Sequence, residues 1–513
     1  VAEDHSASRS LVVGAATNWA AFAATLVVSF FLAPYLVRSL GDARYGVWCV
    51  VESILAYFTL FDLGIAACLV RFVAKYQAVG ARAELNRIIS SAVGLFTLAG
   101  GVVIVLGVSI IPFIAPGLER QLDEPGDVLP FMLLMVVNLA ITLPLSAFPS
   151  ILDGLQRFGT KSAVRLMSLA VRVGAIVGVM ETRPGLLPLA LVFTGVNLLE
   201  HGVLALVCFR CLPGLQLAPR WINRTTLREI HGYSLDAFLA MLAGRITVQS
   251  GAIIVGGWLS VAAAAHYAIA ARLVDMAKTL LRSATTTLTP AVSHREATGD
   301  LDGVRRVLLD GTRWMLYLVL PIQGGLLAFG APFLARWMGH ADYATWCFPP
   351  AAILSATLTI GVAQSVASRI LYGMGQLKVF ARLALVEAAV NIGLSLMVVG
   401  PLGIVGVAVG VAVPHVGFCV VVIVYTCYRL GIDVKSYFIK SWLKPLGTAA
   451  IPVAVWALLG PAEATWPSIA LGIAAGLGPY ACAVLAAEWR GLVGSGGVCG
   501  RGFMPVGVSG RGR

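Results

Sequence analysis

Three arginines, Arg172, Arg245 and Arg272, sit inside segments that are otherwise apolar. Behind Arg272, the residues Asp275, Lys278 and Arg282 follow at i, i+3 and i+7, which is one stripe of a helix. Arg165 and Arg172 share a face in the same way. Carboxylates in comparable surroundings are Glu52, Asp62, Asp236 and Glu387, the last one helical turn before Asn391. Ionised groups in apolar segments are costly and as a rule face a cavity or one another. Near the middle of these segments the basic groups outnumber the acids. A wet cavity of positive potential follows, and such a cavity attracts an anion. The simpler alternative is mutual neutralisation, Arg272 by Asp275 or Arg245 by Asp236. Lys278 and Arg282 are also placed to snorkel to a membrane face.

No other pattern points to chemistry. Gly154–Ser162 reads GLQRFGTKS, but Thr160 separates the second glycine from Lys161, and an apolar helix rather than a strand precedes it. Both features exclude a phosphate loop. There is no H-E-x-x-H and no nucleophile elbow. Cys208 and Cys211 form a close pair without the second pair that a zinc site needs. The nine cysteines read as reduced apolar filler, and His201, His231, His266 and His415 as isolated packing or interfacial residues. No catalytic residue, metal site or cofactor is expected, and the chain is not read as an enzyme.

The elements that position these charges are membrane spans. Of 513 residues, 58% are hydrophobic and 12% charged, and mean hydropathy is +0.88. A soluble domain carries about 25% charged residues, so a soluble enzyme is excluded, and disorder with it. The apolar runs are continuous rather than alternating, which argues against a β-barrel. Fourteen runs of spanning character lie near 11–37, 46–70, 88–112, 128–152, 163–180, 186–209, 231–258, 262–290, 314–335, 346–370, 380–399, 403–428, 445–460 and 466–487. The first reads as a span and not as a cleavable signal peptide.

The net charge of +12 follows the loops. With the N-terminus in the cytoplasm, 27 of the 37 basic residues fall in inside loops and tails and five in outside loops. That asymmetry predicts cytoplasmic N- and C-termini and an even number of spans. It replaces nucleic acid as the explanation of the charge. The sequon at Asn223 then falls inside and is discounted. The longest inside connections, about 210–230 and 291–313, are expected to hold helix extensions or interfacial segments.

The chain repeats itself. ILDGLQRFGTK (Ile151 to Lys161) and ILYGMGQLK (Ile370 to Lys378) put I-L-x-G at two helix ends 219 residues apart, and Tyr45 and Tyr267 open two spans 222 apart. This predicts an all-α polytopic protein with two six-helix lobes related by a pseudo-two-fold axis along the membrane normal, plus two C-terminal helices. The expected divisions are an N-terminal lobe at 1–210, an interlobe linker at 211–230, a second lobe at 231–430, the additional spans at 431–490 and a disordered tail at 491–513.

Leu36 to Tyr76, with Leu40-Gly41, Tyr45-Gly46, Asp62-Leu63-Gly64 and Arg71, resembles the opening of the polysaccharide transporter (Wzx-type oligosaccharide flippase) family. That family lies within the multidrug/oligosaccharidyl-lipid/polysaccharide exporter superfamily. Tyr267 to Leu273, Thr289-Pro290, Trp337-Met338-Gly339 and the Gly403–Gly410 region agree, so the resemblance spans about 10–490. It implies two six-helix lobes with two extra helices, alternating access, and a lipid-linked oligosaccharide on polyprenyl pyrophosphate as substrate. The expected function is then a flippase of the bacterial cytoplasmic (inner) membrane, serving surface antigen (lipopolysaccharide), capsule or exopolysaccharide. Arg172, Arg245 and Arg272 would attract the pyrophosphate or acidic sugars, with Lys278 and Arg282 near the entry. Glu52, Asp62, Asp236, Asp275 and Glu387 would pair with them or carry a coupling ion. Membrane lipids, a glycan polymerase and glycosyltransferases of the same pathway are the expected partners, and lipid II is an alternative cargo. A cation-coupled multidrug exporter and a membrane glycan polymerase or ligase are the competing readings.

Overall fold

A computed structural model describes residues 2–62, 64–122, 127–221, 235–285, 288–459 and 465–494. All regular structure among them is helical. In chain order the helices are α1 (Ala2–Phe58), α2 (Ile65–Ala78), α3 (Arg82–Glu119), α4 (Val128–Leu145), α5 (Ala147–Gly154), α6 (Phe158–Thr182), α7 (Leu186–Cys211) and α8 (Leu235–Trp258). There follow α9 (Val261–Thr285), α10 (Leu288–Ala297), α11 (Leu301–Met338), α12 (Asp342–Gly373), α13 (Leu377–Leu430), α14 (Val434–Ser441), α15 (Leu443–Leu459) and α16 (Trp466–Gly494). Nine of the linker's twenty residues, 222–230, and the tail from 495 lie outside the described residues.

Ten helical pieces are long and apolar enough to cross a membrane, eleven with the bent pair α14–α15. Two of the ten, Trp19–Ala78 and Leu377–Leu430, run for 60 and 54 residues. Straight, each would measure roughly 80–90 Å against a hydrocarbon core of about 30 Å. Each is broken at a glycine outside helical geometry, Gly41 (φ 77°, ψ 163°) and Gly403 (φ 58°, ψ −138°). Around Gly403 the chain doubles back. A β-carbon on Gly406 would strike the Val398 carbonyl, and one on Gly410 the backbone of Ser395. Each long piece therefore supplies two crossings. The fourteenth span is α9, whose 25 residues suffice in length but whose charges, Arg272, Asp275, Lys278 and Arg282, mask it in composition. The fourteen expected spans are all present. The ninth begins earlier than hydropathy indicates, at Leu301 rather than near 314, because α11 opens with an amphipathic extension that buries Val304 and Leu308.

The repeat holds residue by residue. α3 and α11 are both 38 residues long and start 219 positions apart, each shortly after a positive-φ glycine, Gly80 and Gly299. A β-carbon on Gly154 would press on the Val73 side chain and the Val70 carbonyl; one on Gly373 would press on Val292 and the Thr289 carbonyl. Both contact pairs are again offset by 219. The two turns also share hydrogen bonds. Arg157 N donates to Leu152 O at 2.9 Å, as Gln376 N does to Leu371 O at 2.8 Å. In both halves the chain leaving the sixth helix is tied to the third. Asn86 bonds Gly214 O and Gln216 N at 3.3 and 3.2 Å, while Arg305 Nε donates to Leu430 O at 2.7 Å.

The helices pack as two compact units that cut across the repeat, Val1–Leu273 with Leu377–Pro414, and Val274–Gln376 with His415–Arg513. In the first, Leu69, Val73, Ile89, Phe96, Ile151 and Leu152 form one buried cluster. In the second, α15 and α16 pack on α11 through Trp456 against Phe329 and Tyr480 beside Tyr317.

Candidate functional site: arginines at mid-span

Arg172, Arg245 and Arg272 lie fourteen, ten and eleven residues beyond the first residues of α6, α8 and α9. At 1.5 Å per residue this is about 15–21 Å along each helix, near its middle. All three belong to the first unit.

Arg272 reaches the second limb of α1. Its Nη2 stands 3.8 Å from Glu52 and its Nη1 donates to the Tyr45 hydroxyl at 3.3 Å. Two turns earlier, His266 meets Asp42 at 3.2 Å on the same pair of helices. The approach is set by Gly46, whose α-carbon lies against the Val261 carbonyl with no room for a side chain.

Arg172 pairs with Glu200 of α7 at 3.5 Å and lies over the Phe193 ring at 5.4 Å. Its Nε is buried without a hydrogen-bond acceptor among the described residues. Phe193, Asn197 and Glu200 stand at i, i+4 and i+7, one stripe of α7. Asn197 donates to Asn138 Oδ1 at 2.9 Å and to the Thr142 hydroxyl at 2.7 Å, and His201 Nδ1 lies 2.9 Å from the Asn197 carbonyl. Trp48 packs on Phe193 with centroids 4.7 Å apart. Tyr45, Trp48 and Glu52 themselves form one stripe of α1, so both arginines are arranged around the same helix face.

Arg245 is exposed and makes no ion pair among the described residues. One turn on, Ser250 donates to Asn391 Oδ1 at 3.2 Å. Glu387, Asn391 and Ser395 run as a buried polar row along α13. Asp62 accepts from Ala66 N at 3.1 Å and so ties the turn between α1 and α2. Asp275 is exposed and Lys278 half-buried, both in the second unit. The side chains of Asp236 and Arg282 lie outside the described residues.

Arg272 pairs with Glu52 on a neighbouring helix, and among the described residues no ion pair joins it to Asp275 one turn along its own. Sequence reasoning missed Glu200, Asn138, Asn197 and Tyr45. For Asn197 and Glu200 the signal was the i, i+3 recurrence of polar residues in the sixth span; Asn138 and Tyr45, on α4 and α1, carried no such pattern. The two ion pairs, at 3.5 and 3.8 Å, are longer than the 2.7–2.9 Å of a tight charge-assisted bond. Both guanidinium side chains keep exposed surface, 26% for Arg172 and 35% for Arg272. The arrangement offers planar donors to an anion. No group of three or more His, Cys, Asp or Glu among the described residues could hold a metal ion.

The uncharacterized membrane protein EpsK of Bacillus subtilis (strain 168) is 22% identical over 479 residues, covering 89% of this chain and 91% of EpsK. The fold is similar to that of the lipid II flippase MurJ in an inward closed conformation, with a TM-score of 0.72 at 12% identity over 94% of this chain and all of that one. It is also similar to an inward-facing multidrug resistance MATE family transporter of the MOP superfamily, with a TM-score of 0.67 at 11% identity over 79% and 94%. These similar structures are carriers, not enzymes. Residues 13–295, more than half of the sequence, match the polysaccharide biosynthesis protein family, and the chain belongs to that family.

Proposed function

We propose that this chain is a flippase that moves a polyprenyl-pyrophosphate-linked oligosaccharide across the bacterial cytoplasmic membrane by alternating access, for surface polysaccharide synthesis. The observation that carries this reading is Arg245, an exposed guanidinium at mid-span without a carboxylate partner among the described residues. A charge at that depth costs at least about 3 kcal/mol facing lipid. A water-filled cavity that admits an anion removes the cost. The pyrophosphate of the cargo supplies such an anion, and Arg172 and Arg272 add donors to it. Family membership and the likeness in fold to a lipid II flippase support the same reading. Lys278 and Arg282 serve the cytoplasmic entry. Glu52, Asp62, Asp236, Asp275 and Glu387 hold the arginines when cargo is absent or carry a coupling ion. The termini lie in the cytoplasm. A multidrug exporter shares the fold, but three mid-span arginines repel a cationic drug.

Cells lacking the protein test this. Lipid-linked units should accumulate on the cytoplasmic leaflet, and Arg245→Ala or Arg272→Ala variants should restore transport at least about tenfold less well, the loss of one charge-assisted bond. Normal transport by both variants at normal protein levels would remove the cationic site. Units reaching the outer leaflet in the deletion strain would remove the flippase.

A further inference from the structure

We propose that α14, the short helix between the twelfth and thirteenth spans, is a fixed interfacial anchor that binds anionic phospholipid. Its sequence is VKSYFIKS, followed by Trp442-Leu443-Lys444. One side is fastened to the second unit. Tyr437 is 2% exposed with its hydroxyl 3.4 Å from Thr312, and Ser441 donates to Leu309 O at 3.0 Å, both on α11. Arg305 Nε holds the preceding Leu430 carbonyl at 2.7 Å, and Asp433 caps the helix by accepting from Ser436 N at 2.9 Å.

The other side is large, apolar and uncovered. Val434, Phe438, Ile439 and Leu443 are 42%, 50%, 49% and 62% exposed. Phe438 stacks on Trp442 at 5.3 Å with 9° between the planes, which broadens the face into a flat plate. Lys435, Lys440 and Lys444 are exposed around it, and Lys435 and Lys440 pair with no carboxylate among the described residues.

Three lysines in ten residues do not suit the hydrocarbon core, and four large exposed hydrophobes do not suit water. The 17 residues of α15 already provide about 25 Å of span, and α14 meets α15 at a bend of 42°. That places α14 at the level of the lipid headgroups, where an apolar face dips into the acyl boundary and lysines reach phosphates. The partner chemistry is therefore a negatively charged glycerophospholipid.

The full-length protein in nanodiscs tests this, with phosphatidylcholine alone or with roughly 30% phosphatidylglycerol. Amide exchange is followed by mass spectrometry over peptides covering 432–444, with 305–317 as the internal reference for α11. Exchange in 432–444 should slow at least about threefold in the anionic discs, the reference should not change, and K435Q/K440Q should lose the lipid dependence. Both lysines are exposed and neither makes the hydrogen bonds that fasten α14 to α11, so the variant keeps the fold. Equal exchange in the two lipids, or a phosphatidylglycerol effect that survives K435Q/K440Q, overturns the proposal.

Discussion

Gly46 and Val261 touch backbone to backbone: a β-carbon on the glycine would overlap the valine carbonyl. This contact brings the second limb of α1 beside the start of α9 and sets Tyr45 and Glu52 within reach of Arg272. Gly41 differs, having open space around it but a φ of 77°. Gly46→Ala should therefore cost about 3 kcal/mol by forcing two helices apart, and Gly41→Ala about 1 kcal/mol from backbone strain alone. Thermal unfolding of the purified variants checks the order. Equal effects would mean that the helix contact is not rigid.

Arg172 and Glu200 separate a binding role from a structural one. Arg172→Gln should lower transport about tenfold, while Glu200→Gln, which frees the guanidinium, should leave transport near normal. Thermal stability should change by about 1 kcal/mol or less in either variant, since the pair is loose and partly solvated. Equal losses of transport in both variants, rescued in the double variant, would make the pair a strut.

The repeat yields its own comparison at the turn after each I-L-x-G. Gln156 adopts a φ of 57°, whereas Gly375 holds the matching position at 67°. A non-glycine residue there carries roughly 1 kcal/mol of strain. Gln156→Gly should stabilise the protein by about that amount and Gly375→Gln destabilise it similarly, as read by melting temperature. No change in either would show that the turns tolerate both residues equally.

Glu488 fastens the two C-terminal spans. It accepts from the Tyr317 hydroxyl at 3.0 Å and lies 3.7 Å from both Arg313 and Lys444. Glu488→Ala leaves the buried Tyr317 hydroxyl without its acceptor and removes one of the two carboxylates beside Arg313, which keeps Asp310 at 2.6 Å, and should cost about 2 kcal/mol. Limited proteolysis should then cut first between 460 and 490 rather than in the first unit. An unchanged melting temperature and cleavage pattern would contradict this anchoring.

Hydropathy reads what lipid sees, so it located every span, and the alternation of basic loops kept the count even. Hydropathy alone opens the ninth span near 314, but the length of the basic connection 291–313 already pointed to a helix running on past the membrane. α11 starts at Leu301, its extension burying Val304 and Leu308 on one side and showing Asp302 and Arg306 on the other. The repeat was legible because glycine is required where Gly154 and Gly373 press on neighbouring helices, and two such sites preserve a motif. Which charge meets which was not legible. Arg272 and Asp275 share a helix and looked like a pair, but Glu52 sits on the helix that Gly46 brings close. Glu200 escaped notice because a lone carboxylate in a leucine-rich span gains meaning only from Arg172 across from it.

In the proposed transport cycle the mid-span arginines select a negative cargo group. The most direct measurement is binding of the purified protein to polyprenyl pyrophosphate and to the uncharged polyprenol of the same length. The pyrophosphate should bind at least about tenfold more tightly, and Arg245→Gln should abolish most of that preference. Equal affinity for the two lipids, or a preference untouched by Arg245→Gln, would mean that these arginines do not select the cargo.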